Sequence, residues 1–504
     1  MSTAPAQVGE RWWEEIRPQV AIVAFFCVLL LALSLQNRVT DADFWWHLRT
    51  GQWILEEGRI PRQDPYSFTA AGRPWIAHSW LADIGMYLLY RYVGPFSLHP
   101  LRALIHAASF TLLLKLLWER WHRLGAVIGL VLVAFVASAR FWLTRPNSLS
   151  LAFCIAFLYL WYLYKYKGRD RLWLFPVLMA LWANLHSGFV YGLFLLGALF
   201  LGEMAAGRFW PDPSALGRKR WLRLGFFSLL SIPAILLNPY GFRLLLYPFS
   251  YYLGGITLHT RYVGEWLSPN FQEPSNLLFA LLLLALLAGM AWRRSGTAPA
   301  EALAVVLFTL LALRSIRAAG VAIPLLAYSA AGVFGQGMVP RVGPGRQGAW
   351  PRPRQAVLWA WHLGTLFVLL LLLAGVGLEF ASWGRRAGFM GEEEYPHQAV
   401  AALAGMPSSA RMFNSYNWGG YIIWQLPDRP VFIDGRADLY GDTLFGEYLK
   451  VWRLDPAWKE VLQQWQVQVV ICERRSALAT LLMESPSWDP VYADPMAAVF
   501  RRTP

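Results

Sequence analysis

Cysteine and charge are both scarce in this 504-residue chain. The three cysteines, Cys27, Cys154 and Cys472, lie far apart and none belongs to a CxxC motif. The sequence therefore indicates neither a disulfide framework nor a thiol redox motif. Charged residues make up 15% of the chain, whereas soluble domains average about a quarter. Together with 56% hydrophobic residues, this composition excludes a disordered chain and argues against a water-soluble enzyme.

Long apolar stretches recur along the chain, and a helix needs about 20 such residues to cross a bilayer. A further stretch, 78–94, contains Asp83 and Arg91, and a charge at the bilayer centre costs about 2.5–3.5 kcal/mol on insertion scales. We expect that stretch to form an interfacial or re-entrant helix, and the whole chain to be a polytopic α-helical membrane protein. The eleven predicted transmembrane helices lie near 18–36, 99–118, 124–142, 147–165, 172–187, 188–206, 222–238, 276–292, 298–314, 318–338 and 355–379.

The basic residues indicate how the chain is oriented. The net charge is +14, which in a soluble protein would suggest nucleic acid as a partner. Here Lys and Arg concentrate in alternate loops between the apolar stretches, and loops rich in these residues stay in the cytoplasm. We therefore expect no nucleic acid partner, a cytoplasmic N-terminus and a C-terminus outside, in a multi-pass protein of the cell's inner (cytoplasmic) membrane that contacts membrane lipids.

Two long segments are expected on the outer side: a first loop at 37–98 with interfacial helices, and a tail at 380–504. In the tail, short apolar runs alternate with helical patterns, and Gly-containing turn signals separate them. We predict a transmembrane domain over 1–379 and a small extracytoplasmic α/β domain over 380–504, which is long enough to bury a core. The apolar runs are 411–426, 431–434 and 467–472, and the helical patterns are 396–405, 456–465 and 476–484.

Polar and ionisable residues gather at the turns that are predicted to face outward. Asp41 and Asp43 open the first outer loop. Helix capping and ordinary solvation at the membrane interface are the alternative explanation for these two carboxylates. Ionisable residues near the bilayer usually serve a site or a pathway, and the gathering of several types on one side favours a site.

Arginine on the outer side runs against the charge rule, which favours a function for Arg145, Arg314 and Arg317. We predict that they bind a phosphate, because a guanidinium offers a planar fork of donors. The alternative is that these long side chains extend to the outer headgroups.

Five further residues are predicted to bind substrate: His47, Asn184, His186, Glu265 and Trp266. For Asn184 and His186 the alternative is to satisfy backbone groups at a tight helical turn. For Glu265 the alternative is ordinary solvation on a loop. His47 lies outside any metal-binding spacing such as HExxH, so a metal-ligand role for it is disfavoured.

The order of these features resembles the GT-C superfamily of membrane glycosyltransferases, in which a first span precedes a long outer loop that opens with acidic residues. The stretch from Asp41 to Asp83 and the segments Leu181–His186 and Asp434–Arg436 resemble a prokaryotic branch of that superfamily. The resemblance implies a GT-C-like fold. It also implies a transferase that takes a sugar from a polyprenyl-phosphate-linked donor, with an acceptor that the sequence does not identify.

The resemblance also implies roles for individual residues. In GT-C enzymes the acidic residue of the first loop is the catalytic base or orients a metal, and we assign that role to Asp41 or Asp43, with a slight preference for Asp43. Some relatives hold a divalent metal, such as Mg²⁺ or Mn²⁺, between acidic residues of different outer loops. Glu265 and Asp64 are the candidates for such a second ligand, and the need for a metal stays open.

Three other functions agree less well with the sequence than a transferase does. A transporter or flippase of a lipid-linked substrate predicts inverted repeats and charges at mid-membrane, and the sequence shows no convincing repeat. A polysaccharide polymerase or ligase predicts a large outer loop late in the chain, whereas the largest loop here comes first. A scaffold protein would not need Asp, Arg, His and Trp on one face.

Overall fold

The structure of the protein is a computed structural model that describes residues 23–24, 26–30, 41–206, 208–209, 212–253, 257–293, 297–335 and 395–503. The predicted span at 355–379, much of the one at 18–36 and the predicted domain boundary after residue 379 lie outside these residues. Residues 23–24 and 26–30 are helical, and Phe26 and Leu30 are buried against the core of the helical bundle.

Each predicted span between 99 and 338 coincides with a helix. By length and hydropathy, four helices within the described ranges can cross a membrane: Leu98–Arg120, Asn147–Lys167, Pro274–Trp292 and Ile316–Gly335. The remaining helices in this region are shorter or more polar, so the polytopic fold is evident while the number of eleven crossings stays a prediction. The helices are Leu98–Arg120, Leu124–Ala137, Asn147–Lys167, Leu174–Leu185, Phe189–Ala205, Arg218–Ile235, Pro274–Arg293, Pro299–Arg314 and Ala319–Gly335.

Burial distinguishes the central helix of the bundle from a peripheral one. The segment Ile316–Gly335 is 94% buried, whereas Pro274–Trp292 is 28% buried although its mean hydropathy is higher. A helix that is apolar all round is buried either by protein or by lipid. Ile316–Gly335 therefore lies in the middle of the bundle, and Pro274–Trp292 turns much of its apolar surface outward, as a lipid-facing helix does.

The first outer loop contains two helices, Phe44–Glu57 and Trp80–Tyr92. The second has 13 residues, which is too short to cross a bilayer, in line with the interfacial helix predicted there. The two helices touch at Gly51, where an added Cβ would lie 2.1 Å from the carbonyl oxygen of Asp83. A later outer loop carries the short helices Phe242–Leu253 and Thr257–Tyr262.

The tail forms a four-stranded sheet in the order β1-β2-β4-β3. Strands β1 and β2 pair in parallel, and the other two pairs are antiparallel. Three helices fall where helical patterns predicted them, at His397–Ala404, Trp458–Gln464 and Ala477–Glu484. The other helices are Gly419–Gln425 and Ala437–Trp452, and the strands are β1 Met412–Asn414, β2 Val469–Glu473, β3 Trp488–Ala493 and β4 Ala497–Arg502.

Two of the apolar runs in the tail do not form continuous strands. The run 411–426 contains β1 and then the helix Gly419–Gln425. Within 431–434 only Val431 pairs as in a sheet, and its partner is Ser67 of the first outer loop. The Val431 amide donates to the carbonyl of Tyr66 at 3.0 Å, and the Phe68 amide donates to the carbonyl of Val431 at 3.2 Å. The backbone of Val431 is thus paired with the first loop, whereas the Phe432 amide and the Ile433 carbonyl bond to the side chain of Asn414 in β1.

The first outer loop and the tail share one hydrophobic core. Trp45 of the loop lies edge-on to two tail residues, Tyr395 at 5.4 Å and Tyr421 at 5.1 Å between ring centroids. At Gly420 an added Cβ would lie 2.7 Å from the carbonyl oxygen of Ala42. This packing places the tail directly over the acidic start of the first loop.

Candidate active site

A polar cavity of about 190 Å³ lies where the first outer loop, the other outer turns and the tail meet. The tail contributes Tyr416, Asn417 and the segment from Gly435 to Asp438. The charge-based orientation placed the outer turns on one face, and the structure brings many of their candidate residues to one cavity. The predicted site residues that line it are Asp41, Asp43, His47, Arg145, His186, Glu265, Trp266 and Arg317.

Three carboxylates in the cavity surround one guanidinium. We call Asp41, Asp43 and Glu265 the carboxylate cluster. Arg145 contacts Asp41 through Nε at 3.1 Å. Its Nη1 contacts Asp43 and its Nη2 contacts Glu265. Arg317 lies at the edge, with Nη1 3.9 Å from Oε2 of Glu265 and its guanidinium over the Trp266 ring.

Local structure positions each member of this group. Asp43 is the N-cap residue of helix Phe44–Glu57, but its side chain makes no capping hydrogen bond within the described structure. Its Oδ1 instead accepts a hydrogen bond from Trp46 Nε1 at 3.1 Å. Asp41 Oδ1 accepts from the Asp43 amide at 3.1 Å. A local hydrogen bond to the backbone before the helix therefore explains part of the role of the Asp41 side chain. Helix capping does not explain the position of the Asp43 side chain.

The two first-loop aspartates differ in exposure. The side chain of Asp43 is 21% exposed and that of Asp41 is 7% exposed. Burial raises the pKa of Asp41, Arg145 lowers it in part, and the negative charge of Asp43 raises it further. Asp43 is therefore the more accessible of the two carboxylates.

His47 is backed by a buried acid. Its Nδ1 lies 2.7 Å from Oδ1 of Asp83, and Ser79 Oγ donates to the other oxygen of Asp83 at 3.2 Å. Burial raises the pKa of Asp83, and the contact with His47 acts against that rise. Because Nδ1 is engaged inside the protein, Nε2 is the nitrogen of His47 that the cavity can reach. The contact depends on the close helix packing at Gly51.

Two more histidines meet beside the cavity. The rings of His78 and His186 lie 5.8 Å apart in an edge-to-face arrangement. His186 Nδ1 is held by Ser150 Oγ at 2.7 Å and by the Gly188 amide at 3.1 Å. Burial lowers the pKa of His78 to about 3. His78 therefore stays uncharged at neutral pH and adds no positive charge to the cavity.

A second set of ion pairs connects the tail to the first loop. Arg436 donates from Nη1 to Asp64 Oδ1 at 2.7 Å and from Nη2 to Asp434 Oδ2 at 2.6 Å. Its guanidinium also stacks over Tyr66 and Trp75. The segment Asp434–Arg436 thus has a structural role at the rim of the cavity. Asp64 takes part in that role, because it accepts the hydrogen bond from Arg436.

Two predicted site residues lie outside the cavity lining. Asn184 accepts from Trp80 Nε1 at 3.0 Å and donates to the carbonyls of Ala180 and Leu237, both at 2.8 Å. These bonds connect three segments of the chain. They agree with the alternative role given for Asn184, in which it satisfies backbone groups at a tight helical turn. Arg314 is an exposed residue at the end of helix Pro299–Arg314. Substrate contacts by either residue stay predictions.

Several residues of the site were missed in the sequence. Asp83 drew attention as a charge in an apolar stretch, but its partner His47 was not recognised. Gly435 belongs to the segment Asp434–Arg436, which carried a turn signal and part of the family resemblance, but its contact with Asp43 was not predicted: an added Cβ there would lie 1.8 Å from Asp43 Oδ1. A buried acid near a histidine-containing loop is a signal that could have found Asp83, whereas Gly435 depends on how the tail packs.

The residues present do not fit a divalent metal. Within the described ranges, no three His, Cys, Asp or Glu side chains are placed to hold a metal ion. In the carboxylate cluster the three acids turn toward the guanidinium of Arg145, which occupies the position between them. Asp64, the other proposed ligand, is engaged with Arg436.

An apolar cleft of about 250 Å³ adjoins this polar site. It lies between helices Trp80–Tyr92, Leu98–Arg120 and Asn147–Lys167, and its lining is mainly aliphatic, with Arg102, Thr144 and Ser148 as polar members besides Arg145. Arg145 lines both the cleft and the polar cavity. The site therefore has a polar compartment and an apolar one that meet at this arginine.

Comparison with known proteins addresses the fold. No family model matches the sequence, and no curated protein matches it. The archaeal oligosaccharyltransferase AglB from Archaeoglobus fulgidus, solved with an inhibitory peptide and a dolichol-phosphate, is similar with a TM-score of 0.55 at 13% identity, over 92% of this chain and 70% of that chain. ArnT from Cupriavidus metallidurans, bound to undecaprenyl phosphate, is matched with a TM-score of 0.48 at 13% identity, over 98% of each chain.

The chain has a GT-C-type fold. The likeness to AglB extends over nearly the whole chain, which confirms the fold that the sequence resemblance implied. Together with the apolar helices, it identifies a multi-pass membrane protein. At 13% identity the likeness concerns the fold, and the activity depends on the residues of the site.

Proposed function

We propose that the protein is a membrane glycosyltransferase. It would move a sugar from a polyprenyl-phosphate-linked donor to an acceptor on the extracytoplasmic face. The observation that carries the proposal is the pairing of a polar cavity with an apolar cleft at Arg145. Such a donor has the same two parts, a sugar phosphate that prefers water and an isoprenoid chain that prefers lipid.

The polar cavity offers groups for the chemistry of transfer. In the proposed reaction the acceptor hydroxyl oxygen attacks the anomeric carbon, its proton passes to a carboxylate, and the bond from that carbon to the phosphate oxygen breaks. A positioned base contributes about 10²–10⁴-fold to such a step. The lipid phosphate leaves with the bonding electrons, and the displacement inverts the anomeric centre.

We assign the base to Asp43. Its greater exposure supports this choice over Asp41, since an oxygen of each carboxylate contacts Arg145 and only the exposure differs. Trp46 Nε1 holds Oδ1 of Asp43, so the carboxylate has a fixed orientation toward the cavity. Fixed orientation matters because proton transfer requires the base within hydrogen-bond reach of the hydroxyl.

We assign the main phosphate contact to Arg317. All three nitrogens of Arg145 already face carboxylates, whereas Arg317 is 30% exposed and touches Glu265 only at 3.9 Å. A preorganised guanidinium stabilises the charge that develops on a leaving phosphate. His47, with Asp83 behind it, is the further polar contact that this site offers to substrate.

The test separates donor binding from turnover. The full chain in nanodiscs is given a radiolabelled panel of polyprenyl-phosphate sugars. We expect one donor to bind and to be consumed, Asp43→Asn to bind it without turnover, and Arg317→Ala to lose binding. Arg59→Ala removes an exposed arginine of the first outer loop that pairs with Glu57; it is the control for loss of an arginine and is expected to behave as wild type.

Two results would reject the assignment. If no donor binds, or if both Asp41→Asn and Asp43→Asn turn over normally, the transferase loses its support. Movement of an intact lipid-linked sugar across proteoliposomes, without sugar transfer, would instead favour a flippase.

A further inference from the structure

The carboxylate cluster is assembled only by the tertiary fold. Asp43 lies 102 residues from Arg145 along the chain, and Glu265 lies 120 residues from it. Three acids from two outer segments nevertheless meet at one side chain. Like charges brought this close destabilise one another unless a cation lies between them, so the fold requires a positive charge at this point.

The geometry marks that point as a cation position. Hard divalent cations are held in proteins by oxygen ligands that converge from several segments. Asp41 gives an independent indication, because its side chain is more than nine-tenths buried. Its Oδ2 has no hydrogen-bond partner in the described parts of the chain. That oxygen lies 3.1 Å from Arg145 Nε in a contact that is not aligned as a hydrogen bond.

The guanidinium already fills this position. A Mg²⁺ ion needs its oxygen ligands at about 2.0–2.1 Å in near-octahedral geometry, and the planar group of Arg145 stands between the same oxygens. Arg317 adds a second positive charge beside Glu265.

We propose that Arg145 is a built-in cation that takes the place of a divalent metal ion in the carboxylate cluster. The protein then binds no divalent cation at this cluster. Removal of the guanidinium leaves three convergent carboxylates and creates a divalent-cation site. The arginine is held permanently by the chain, so the cluster keeps its geometry whatever the supply of metal outside the cell membrane.

The proposal does not depend on the transferase assignment, because cation binding is measured without a sugar donor. It also goes beyond that assignment, since a transferase of this fold could work with or without a metal. A failure of the donor-binding experiment would leave the cation result unaffected, and the reverse also holds.

The first arm of the test uses the wild-type chain. The full chain in detergent is stripped with EDTA and titrated with Mn²⁺, and bound Mn²⁺ is counted by electron paramagnetic resonance while the melting temperature is followed. We expect no Mn²⁺ bound at the cluster and no shift in melting temperature. Binding of one Mn²⁺ that disappears in Asp43→Asn would overturn the proposal, and this arm needs no arginine variant.

The second arm uses Arg145→Ala. We expect this variant to melt lower than wild type in EDTA, to bind one Mn²⁺ and to regain part of its melting temperature. Adding Glu265→Gln should weaken that Mn²⁺ binding by about tenfold or more, because affinity follows the number of charged ligands. A folded Arg145→Ala chain that binds no Mn²⁺ would overturn the proposal.

Two further variants keep the second arm decisive. Arg59→Ala removes an exposed arginine of the first outer loop that pairs with Glu57, outside the carboxylate cluster, and should gain no Mn²⁺ binding. If Arg145→Ala does not fold, Arg145→Lys replaces it, because an ammonium keeps the charge but cannot face three carboxylates at once. We expect this lysine variant to bind no Mn²⁺ at the cluster, because the built-in positive charge remains, and binding of one Mn²⁺ there would overturn the proposal.

Discussion

Buried charges lie at both ends of the helical bundle, and the two groups differ in how they are satisfied. At one end, Arg120 donates to both oxygens of Glu301, at 2.7 and 3.0 Å. Tyr166 and Tyr328 each donate to Glu301 Oε1 at 2.8 Å. We call these four residues the Arg120 cluster. At the other end, Arg145 and the carboxylate cluster line an open cavity.

The difference lies in the ratio of donors to acceptors. In the Arg120 cluster one carboxylate accepts from a bidentate arginine and two hydroxyls, so its acceptor capacity is filled. Around Arg145 three carboxylates share one guanidinium, and Oδ2 of Asp41 lacks a hydrogen bond in the described structure. A saturated group stabilises a fold, whereas an unsaturated group beside a cavity can still bind something. The comparison therefore separates a structural ion pair from a candidate site.

The largest expected effect is on turnover. Asp43→Asn removes the proposed base, so we expect turnover to fall by about 10²–10⁴-fold with donor binding and melting temperature close to wild type. The measurement is single-turnover transfer from the lipid-linked donor that the panel identifies. Glu56→Gln, on the exposed side of the same helix, is the control, because Glu56 pairs there with Arg49 at 3.2 Å. An equal loss of turnover in Asp43→Asn and Glu56→Gln would mean that the carboxylate cluster is not the catalytic site.

The next effect is on stability and belongs to the Arg120 cluster. Glu301→Ala leaves a buried arginine without its partner, which destabilises proteins by about 3–5 kcal/mol. We expect lower resistance to denaturant in micelles, with turnover per folded molecule unchanged. Loss of function at unchanged stability would contradict the structural role. It would point instead to a charge pathway through the bundle, as a transporter requires.

A smaller effect is expected where the tail meets the carboxylate cluster. In Gly435→Ala the added Cβ would lie 1.8 Å from Asp43 Oδ1. Such overpacking costs about 1–3 kcal/mol, and displacing Asp43 should also reduce turnover. Gly446→Ala is the matched control, since its Cβ would meet Leu258 Cδ1 at 3.4 Å. Thermal melting and turnover are measured for both, and unchanged values for Gly435→Ala would mean that the tail does not contact the site.

The smallest expected effect concerns acid stability. Burial lowers the pKa of His78 to about 3, and His47 and Arg317 act in the same direction. An unfolded histidine has a pKa of about 6.5. Between these values the unfolded chain binds a proton that the folded chain does not, so stability falls as the pH drops below about 6.5. At pH 5.5 this cost is about 1 kcal/mol.

This effect is measured as the difference in melting temperature between pH 7.5 and pH 5.5. We expect a smaller difference for His78→Gln than for wild type. A glutamine at this place keeps a polar side chain but takes up no proton. An unchanged difference would mean that His78 is protonated in the folded protein, and the cavity would then carry more positive charge than the structure indicates.

Much of the bundle and part of the site followed from the sequence. Span positions depend on local runs of apolar residues, so each predicted span between 99 and 338 coincides with a helix, whereas the short helices Phe242–Leu253 and Thr257–Tyr262 were not predicted. The gathering of Asp41, His47, His186 and Glu265 at one cavity followed from the charge rule, which assigns each loop to a side. The side of the membrane on which a loop lies depends on the charge of that loop, so it can be predicted without knowing any tertiary contact.

Parts of the tail were harder to predict. The strands Trp488–Ala493 and Ala497–Arg502 carried no clear signal in the sequence. Strand β3 is exposed along most of its length, so it lacks the apolar alternation that identifies a half-buried strand. The run at 431–434 did have an apolar pattern, but its one pairing partner is Ser67, more than half the chain away. Pairing over such a distance cannot be predicted from a local pattern.

The sequence by itself determined that this is a multi-pass membrane protein, and it predicted that its ionisable residues collect on one face. Both properties depend on the composition of each segment and on the free energy of moving its side chains between water and lipid. These are local quantities that can be read from the segment alone. Only the tertiary structure decided which charges meet. It placed Arg145 among three carboxylates, gave His47 its partner Asp83 and brought Gly435 against Asp43, because these contacts require distant segments to be packed within a few ångströms.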